Sequence, residues 1–116
     1  MATSDEICRM DTVGLARRIA TKEISPVEVV DAVLERLERL DPVLHMFTTV
    51  VPEQAREDAK RVEAALAAGE DVGPLGGVPT GVKDLIFTKG IRTASGSNAY
   101  ADFVPDEDDV VVERIK

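Results

Sequence analysis

The stretch Gly73–Asp84, GPLGGVPTGVKD, decides how this chain is organised, because glycine and proline are concentrated there. A short apolar run, Leu85-Ile86-Phe87, follows it, and a second segment rich in glycine, serine and threonine runs over 90–98. Clusters of this composition mark loops, and loops commonly display functional groups. The pattern therefore predicts two functional loops that flank a buried strand at 85–87.

The glycines of this stretch do not form a phosphate-binding loop. Gly76 and Gly81 have the spacing of a P-loop, but Val82 stands where the motif requires lysine. Lys83 comes one position late and precedes Asp84 rather than serine or threonine. The dinucleotide fingerprint Gly-x-Gly-x-x-Gly is also absent, so the sequence disfavours a nucleotide site.

Lys83 is the residue of this stretch with the clearest chemical interest. It lies between Val82 and Leu85-Ile86, so its aliphatic stem is expected in apolar surroundings with Asp84 beside it. A desolvated lysine is more easily neutral and can act as a base. The alternative is a surface lysine in a salt bridge, and the local pattern alone favours that alternative.

Upstream of the glycines the sequence predicts helices and one short strand. A short amphipathic helix is expected over 11–20. A second helix follows the N-terminal signal Ser25-Pro26-Val27-Glu28, with an apolar face to Leu40, and Asp41-Pro42 should end it. Residues 46–51 favour a strand, and a helix that starts at Pro52 should stop at Gly69.

Composition narrows the classes of function. The net charge is −8 and aromatic residues make up 3%. An acidic chain is a poor match for nucleic acid or an anionic membrane, so we expect neither as a direct partner. One cysteine, Cys8, in an N-terminus expected to be mobile, and one histidine, His45, predicted to cap or pack a helix end, leave too few ligands for a zinc or iron–sulfur site. Without a signal peptide or apolar span, we expect a cytoplasmic protein.

The C-terminal segment is acidic and then apolar. The run Asp106–Asp109 suits a solvated helix start better than a cation site, and Val111 and Ile115 fall on one side of the helix it begins. No glycine, asparagine or proline ends that helix before Lys116. The chain therefore reads as though it stops within an element.

Several ordered segments together resemble the amidase signature family. Residues 73–84 are similar to the family's lysine motif, and the continuation over 88–105 matches a run of Gly-Ser, an aromatic residue and proline. The later Asp-x-x-Val-Val and the helix opening at Ser25 also resemble family segments. The resemblance covers nearly the whole chain.

The resemblance implies an amide hydrolase with a triad of serine, a cis-peptide serine and lysine, and with no cofactor and no metal. Lys83 matches the lysine of that triad and is the one catalytic residue assigned here. Its implied role is to take the proton of the nucleophilic serine through the bridging serine, which requires a neutral amine. Asp84 is expected to position the strand end and is not assigned a catalytic role.

The resemblance also implies an α/β fold: N-terminal helices plus the first strands of a large mixed sheet, apparently incomplete. Residues 1–116 would be the N-terminal part of the domain, helical over 1–69, with the lysine-motif strand and loops over 73–105 and the start of a helix over 108–116. Both serines would lie downstream. Ser95 and Ser97 match a different loop, so the chain alone is expected to be inactive.

Three functions stay open at this point. The first is an amidase fragment that acts on a small-molecule amide together with the remaining C-terminal portion or a partner subunit. The second is the glutaminase-type subunit of a tRNA-dependent amidotransferase, its A subunit, which would hand ammonia to its partner. The third belongs to another class: a non-catalytic chain that completes or regulates a larger subunit.

Overall fold

The computed structural model describes residues 2–116, and within them the secondary structure is helical. Among the described residues no segment forms a strand. The elements in chain order are α1 (Ser4–Arg9), α2 (Thr12–Ala20), α3 (Pro26–Leu44), α4 (Pro52–Ala67), a 3-10 turn (Asn98–Tyr100) and α5 (Val110–Ile115).

The chain forms two compact units. The helical unit contains the chain up to Leu44 together with Pro52–Pro79, and the loop unit contains His45–Val51 and Thr80–Lys116. Helices α1 to α4 belong to the helical unit, whereas Lys83 and α5 belong to the loop unit.

The helical unit has an aliphatic core. Helix α3 packs against both α1 and α4. Apolar positions three and four residues apart on each helix create the buried faces, which is why the periodicity predicted α2, α3 and α4. Ile19 and Val29 are fully buried, and the cores are completed by Ile7, Leu15, Ile24 and Ala32 in one cluster and Val30, Leu34 and Ala59 in another.

Helix α3 starts where the sequence indicated but ends later. The N–H of Ser25 donates to Glu28 Oε2 at 3.0 Å, and Ser25 Oγ accepts from the N–H of Val27 at 3.0 Å. The predicted stop at Asp41-Pro42 is wrong, because the helix continues through Pro42 to Leu44. Proline has a helical φ and costs one main-chain hydrogen bond, which the last turn of a long helix tolerates.

The N-terminal segment is more ordered than expected. Thr3 and Glu6 form a capping box around α1, in which the Thr3 N–H donates to Glu6 Oε2 at 2.7 Å. The expectation of a mobile N-terminus around Cys8 is therefore wrong. The Cys8 thiol is partly buried and donates to the Ala32 carbonyl at 3.4 Å. Six residues give too short a periodic signal for the helix to be recognised from sequence.

Neither expected strand forms in the described chain. At 46–51 the backbone is irregular, and at 85–87 the N–H groups of Leu85 and Ile86 turn back to the Lys83 carbonyl at 2.8 and 3.0 Å. Leu85 is 52% exposed, so this run is not buried either. A strand needs a neighbouring strand to satisfy its backbone groups, and these residues satisfy theirs in turns and loop contacts.

The loop unit is fastened by side chains that bind main-chain groups. Asp109 Oδ2 accepts from the Phe87 N–H at 2.8 Å, and the Asp109 N–H donates to the Phe87 carbonyl at 2.9 Å. Phe103 contacts the rings of Phe87 and Tyr100, with centroids 5.4 and 5.9 Å apart. Helix α5 begins at Val110, within the region predicted to start a helix. No described helix is long and apolar enough to cross a membrane.

Candidate functional site

Lys83 lies at the start of a tight turn in the loop unit, with its side chain exposed. The apolar surroundings expected for its stem are not present in the described chain, since Val82 and Leu85 are exposed too. The alternative of a salt-bridged lysine is not met either, because Lys83 forms no ion pair with a described carboxylate. Within residues 2–116 the amine is therefore displayed without an acidic partner.

Asp84 connects Lys83 to the segment that follows ten residues later. Asp84 Oδ1 accepts from the N–H of Ala94 at 2.9 Å, and the Asp84 carbonyl accepts from the N–H of Ser95 at 2.8 Å. Both bonds involve one residue directly beside Lys83. The Asp84 carboxylate therefore binds a backbone N–H and not the Lys83 side chain.

The segment held by Asp84 is a left-handed turn. Ser95 and Gly96 have φ angles of 53° and 63°, and the Ser97 N–H closes the turn on the Ala94 carbonyl at 3.0 Å. Positive φ is unusual for a residue with a side chain, so Ser95 adopts it under local constraint. Ser97 Oγ accepts from the Ala99 N–H at 3.2 Å and caps the 3-10 turn. This gives Ser97 a structural role.

Arg92 organises the loop unit and was not identified from the sequence. Its Nε donates to the Ala101 carbonyl, and its Nη1 donates to Thr49 Oγ1 at 3.3 Å. The next residue, Thr93, is buried and donates its N–H to the Phe103 carbonyl at 2.9 Å. These partners lie far apart in sequence and share no periodicity, so only the fold reveals them.

In the acidic run Asp106–Asp109, the Asp108 carboxylate binds other parts of the loop unit and, among the described residues, is not part of a cluster of metal ligands. Asp108 Oδ1 accepts from the Lys89 N–H at 2.7 Å, and its Oδ2 pairs with Lys116 Nζ at 2.6 Å. The hydrogen bond from Lys116, and after it the one from the Lys89 backbone, hold the pKa of Asp108 below its ordinary value. Within residues 2–116 no cluster of three histidine, cysteine or acidic side chains could hold a metal ion.

His45 occupies the position that the sequence suggested, directly after the last residue of α3. Its φ angle of 52° lies in the left-handed region, which does not continue the helix. The residue lies in the loop unit, as Lys83 does, and its side chain is exposed. The role that the structure shows for His45 is therefore this backbone conformation at the end of α3.

Comparison with known proteins finds a family model that matches the chain. The family model described as Amidase matches residues 28–116, which include most of α3, the glycine-rich stretch, Lys83 and α5. The match covers more than half of the chain.

Curated relatives match most of this chain at substantial identity. The A subunit of the glutamyl-tRNA(Gln) amidotransferase of Acaryochloris marina (strain MBIC 11017) is 42% identical over 102 residues, 88% of this chain and 21% of the relative. The A subunit of the same enzyme from Azotobacter vinelandii (strain DJ / ATCC BAA-1303) is 46% identical over 107 residues, 92% of this chain and 22% of the relative. The chain thus spans about a fifth of the length of these relatives.

A solved structure shares the fold of the chain. It comes from a vestigial protein complex described as revealing the evolutionary origins of an s-triazine catabolic enzyme. The two chains superpose with a TM-score of 0.86 at 31% sequence identity, over 91% of this chain and 23% of the other. The fold of the chain therefore corresponds to one part of a larger polypeptide of known structure.

Proposed function

The chain belongs to the amidase signature family, and from this membership we propose that it supplies Lys83 as the base of an amide hydrolase. The reaction would convert a carboxylic amide and water into a carboxylate and ammonia or an amine. The chain spans about a fifth of its relatives, so the rest of the catalytic machinery would lie outside it. Within that division, residues 1–116 would form the N-terminal part of the domain.

In this proposal the chemistry starts with proton transfer to Lys83. The neutral amine accepts the proton of a bridging serine, which in turn takes the proton of the nucleophilic serine as its oxygen attacks the amide carbonyl. The same proton is then delivered to the departing amine, and water releases the acyl group. Both serines and the oxyanion donors would come from a segment downstream, so the 116 residues alone would be inactive.

The observation that carries the proposal is the family match, which spans residues 28–116 and includes Lys83. Lys83 is exposed and forms no ion pair with a described carboxylate, and the carboxylate next to it in sequence, that of Asp84, is engaged by the Ala94 N–H. The amine is therefore open to groups supplied by another segment, and burial under that segment would provide the desolvation that favours a neutral lysine.

The loop unit exposes several apolar side chains, and this exposure favours a partner that covers them. Leu85, Val104, Val111 and Ile115 are each about half exposed, which is a large share of aliphatic surface for one small unit. We propose that the remaining amidase portion, or a partner subunit, covers them. The segments 46–51 and 85–87 would then gain the neighbours they need to become the first strands of the α/β sheet.

A second candidate function is favoured by the relatives. Several that match this chain at 42 to 47% identity are A subunits of glutamyl-tRNA(Gln) amidotransferases. The chain would then be part of a glutaminase-type subunit that passes ammonia to a partner. The proton transfer through Lys83 is the same in both candidates, so they differ in the amide and in the fate of the ammonia.

A chimera tests the proposal directly. In the Azotobacter vinelandii relative, the matched 107-residue segment would be replaced by the corresponding residues of this chain. The chimera, expressed with that relative's partner subunits, would be assayed on glutamine and on simple aliphatic and aryl amides. We expect hydrolysis that Lys83→Ala lowers by roughly 10²–10⁴-fold. Lys89→Ala, which removes an exposed amine of the same unit, serves as the matched control.

The chimera tests the proton transfer that both candidates share. Its preference among amides reports mainly the relative, which supplies about four fifths of the polypeptide. A folded chimera that hydrolyses amides equally well with and without Lys83 would overturn the proton-transfer role. A folded chimera without any activity, beside an active unaltered relative, would favour a non-catalytic chain that completes or regulates a larger subunit.

A further inference from the structure

The most unusual contact near Lys83 is the one its neighbour makes with the main chain. Asp84 accepts two hydrogen bonds from consecutive residues, with its carboxylate from Ala94 and with its carbonyl from Ser95, at 2.9 and 2.8 Å. Here the carboxylate is directed to a backbone N–H ten residues away.

The anchor involves one of the buried positions of the loop unit, Ala94, which follows the buried Thr93. Thr93 is 3% exposed and Ala94 is 4% exposed, whereas most of the unit is open to solvent. Thr93 also donates its N–H to the Phe103 carbonyl, and Phe103 belongs to the aromatic cluster. Hydrogen bonds to a buried segment compete less with water, so they restrict motion more than exposed ones do.

From these contacts we infer that Asp84 is the positioning residue for Lys83. Its two hydrogen bonds fix the main chain directly after Lys83 to Ala94, which is buried, and to Ser95, which follows it. The Lys83 carbonyl is held as well, because it accepts the N–H groups of Leu85 and Ile86. The flexible stem is then the part of Lys83 free to move toward a serine.

This inference rests on the proposed function, and it predicts which property of the side chain at position 84 is required. What matters is the hydrogen-bond acceptor at Oδ1, not the negative charge. Asparagine keeps that acceptor and loses the charge, whereas alanine loses both. A misplacement of about 1 Å at a reacting group can cost about 10²-fold in rate.

The test uses the same chimera with Asp84→Ala, Asp84→Asn and, as the matched control, Asp106→Ala, which removes an exposed carboxylate of the same unit. Asp84→Ala should lower kcat by about 10- to 100-fold and leave KM unchanged, since binding of the amide does not involve Lys83. Asp84→Asn should retain most of kcat, and Asp106→Ala should retain all of it. Hydrogen–deuterium exchange should speed up at Ala94 and Ser95 in Asp84→Ala and not in Asp84→Asn.

Two results would overturn the inference: full kcat in folded Asp84→Ala, or a loss in Asp84→Asn as large as in Asp84→Ala. Where the alanine variant does not fold, a loss of kcat of about 10-fold or more in folded Asp84→Asn overturns the inference. Failure of the proposed function is separate, because it appears as full activity in Lys83→Ala whatever substitution is made at Asp84.

Discussion

The helical unit and the loop unit are stabilised in different ways. In the helical unit, aliphatic side chains such as Ile19 and Val29 are buried between helices. In the loop unit, the segments are joined by hydrogen bonds that Asp84 and Asp109 accept from main-chain N–H groups and that Arg92 donates to a main-chain carbonyl. The candidate base belongs to the second kind of structure. Hydrogen bonds have direction, so they can fix the main chain beside a reactive residue where non-directional packing would not.

The largest expected effect is the loss of stability caused by a substitution in the core of the helical unit. Ile19→Ala removes a side chain that is 0% exposed and should lower the free energy of unfolding of the helical unit by about 2–5 kcal/mol. Val13→Ala on the same helix changes a side chain that is 67% exposed and should cost less than about 0.5 kcal/mol. Urea unfolding followed by circular dichroism measures both. Equal losses would show that burial in this core does not control stability.

Two glycines of the helical unit test how tightly its core is packed. Gly77 and Gly69 have φ angles of 84° and 78°, so alanine is strained to a similar degree at both, by about 1–2 kcal/mol. At Gly77 an added Cβ would also lie 3.0 Å from Ile19 Cγ2, whereas at Gly69 nothing lies within 4 Å. Gly77→Ala should therefore destabilise by about 1–3 kcal/mol more than Gly69→Ala in urea unfolding. Equal effects would mean that the core yields to the added methyl group.

A smaller effect is expected from one fastening of the loop unit. Asp109→Ala removes the acceptor of the Phe87 N–H and should cost about 1 kcal/mol, because one side-chain hydrogen bond is lost. Hydrogen exchange at the Phe87 amide should accelerate, while exchange in α2 and α3 stays as before. The same change at Asp106 should leave the Phe87 amide unaffected. Acceleration throughout both units would contradict a local role for Asp109.

The smallest effect is a pH dependence of the loop unit. The pKa of Asp108 is lowered in the folded state by Lys116 and the Lys89 N–H, so its ionised form is favoured by folding. The stabilisation is therefore complete above the ordinary value of 3.8 and is lost as the pH falls through the folded pKa. The stability difference between the wild type and Asp108→Asn should shrink below pH 3.8 in urea titrations. A difference that stays constant to about pH 2 would exclude this linkage.

The two units also differ in how far sequence could predict them. Helix periodicity and local signals such as Ser25 and Gly69 were sufficient to predict that α2, α3 and α4 form. The main-chain hydrogen bonds of a helix and the spacing of its apolar face both lie within one continuous segment. The expected strands failed for the opposite reason, since a strand depends on partners elsewhere. The glycine-rich motif singled out Lys83, but nothing local indicated that Asp84 would bind Ala94 or that Arg92 would reach Thr49.

Native-state hydrogen exchange of the chain, measured amide by amide at increasing urea, tests the contrast between the units most directly. We expect that amides of the helical core, such as those of Ile19 and Val29, open with a higher free energy than those of Ala94, Ser95 and Asp109. The loop-unit amides should therefore lose protection at lower urea. Equal opening free energies in the two units, or greater protection at Ala94 and Ser95 than at Val29, would contradict the claim that packing stabilises one unit and hydrogen bonds fasten the other.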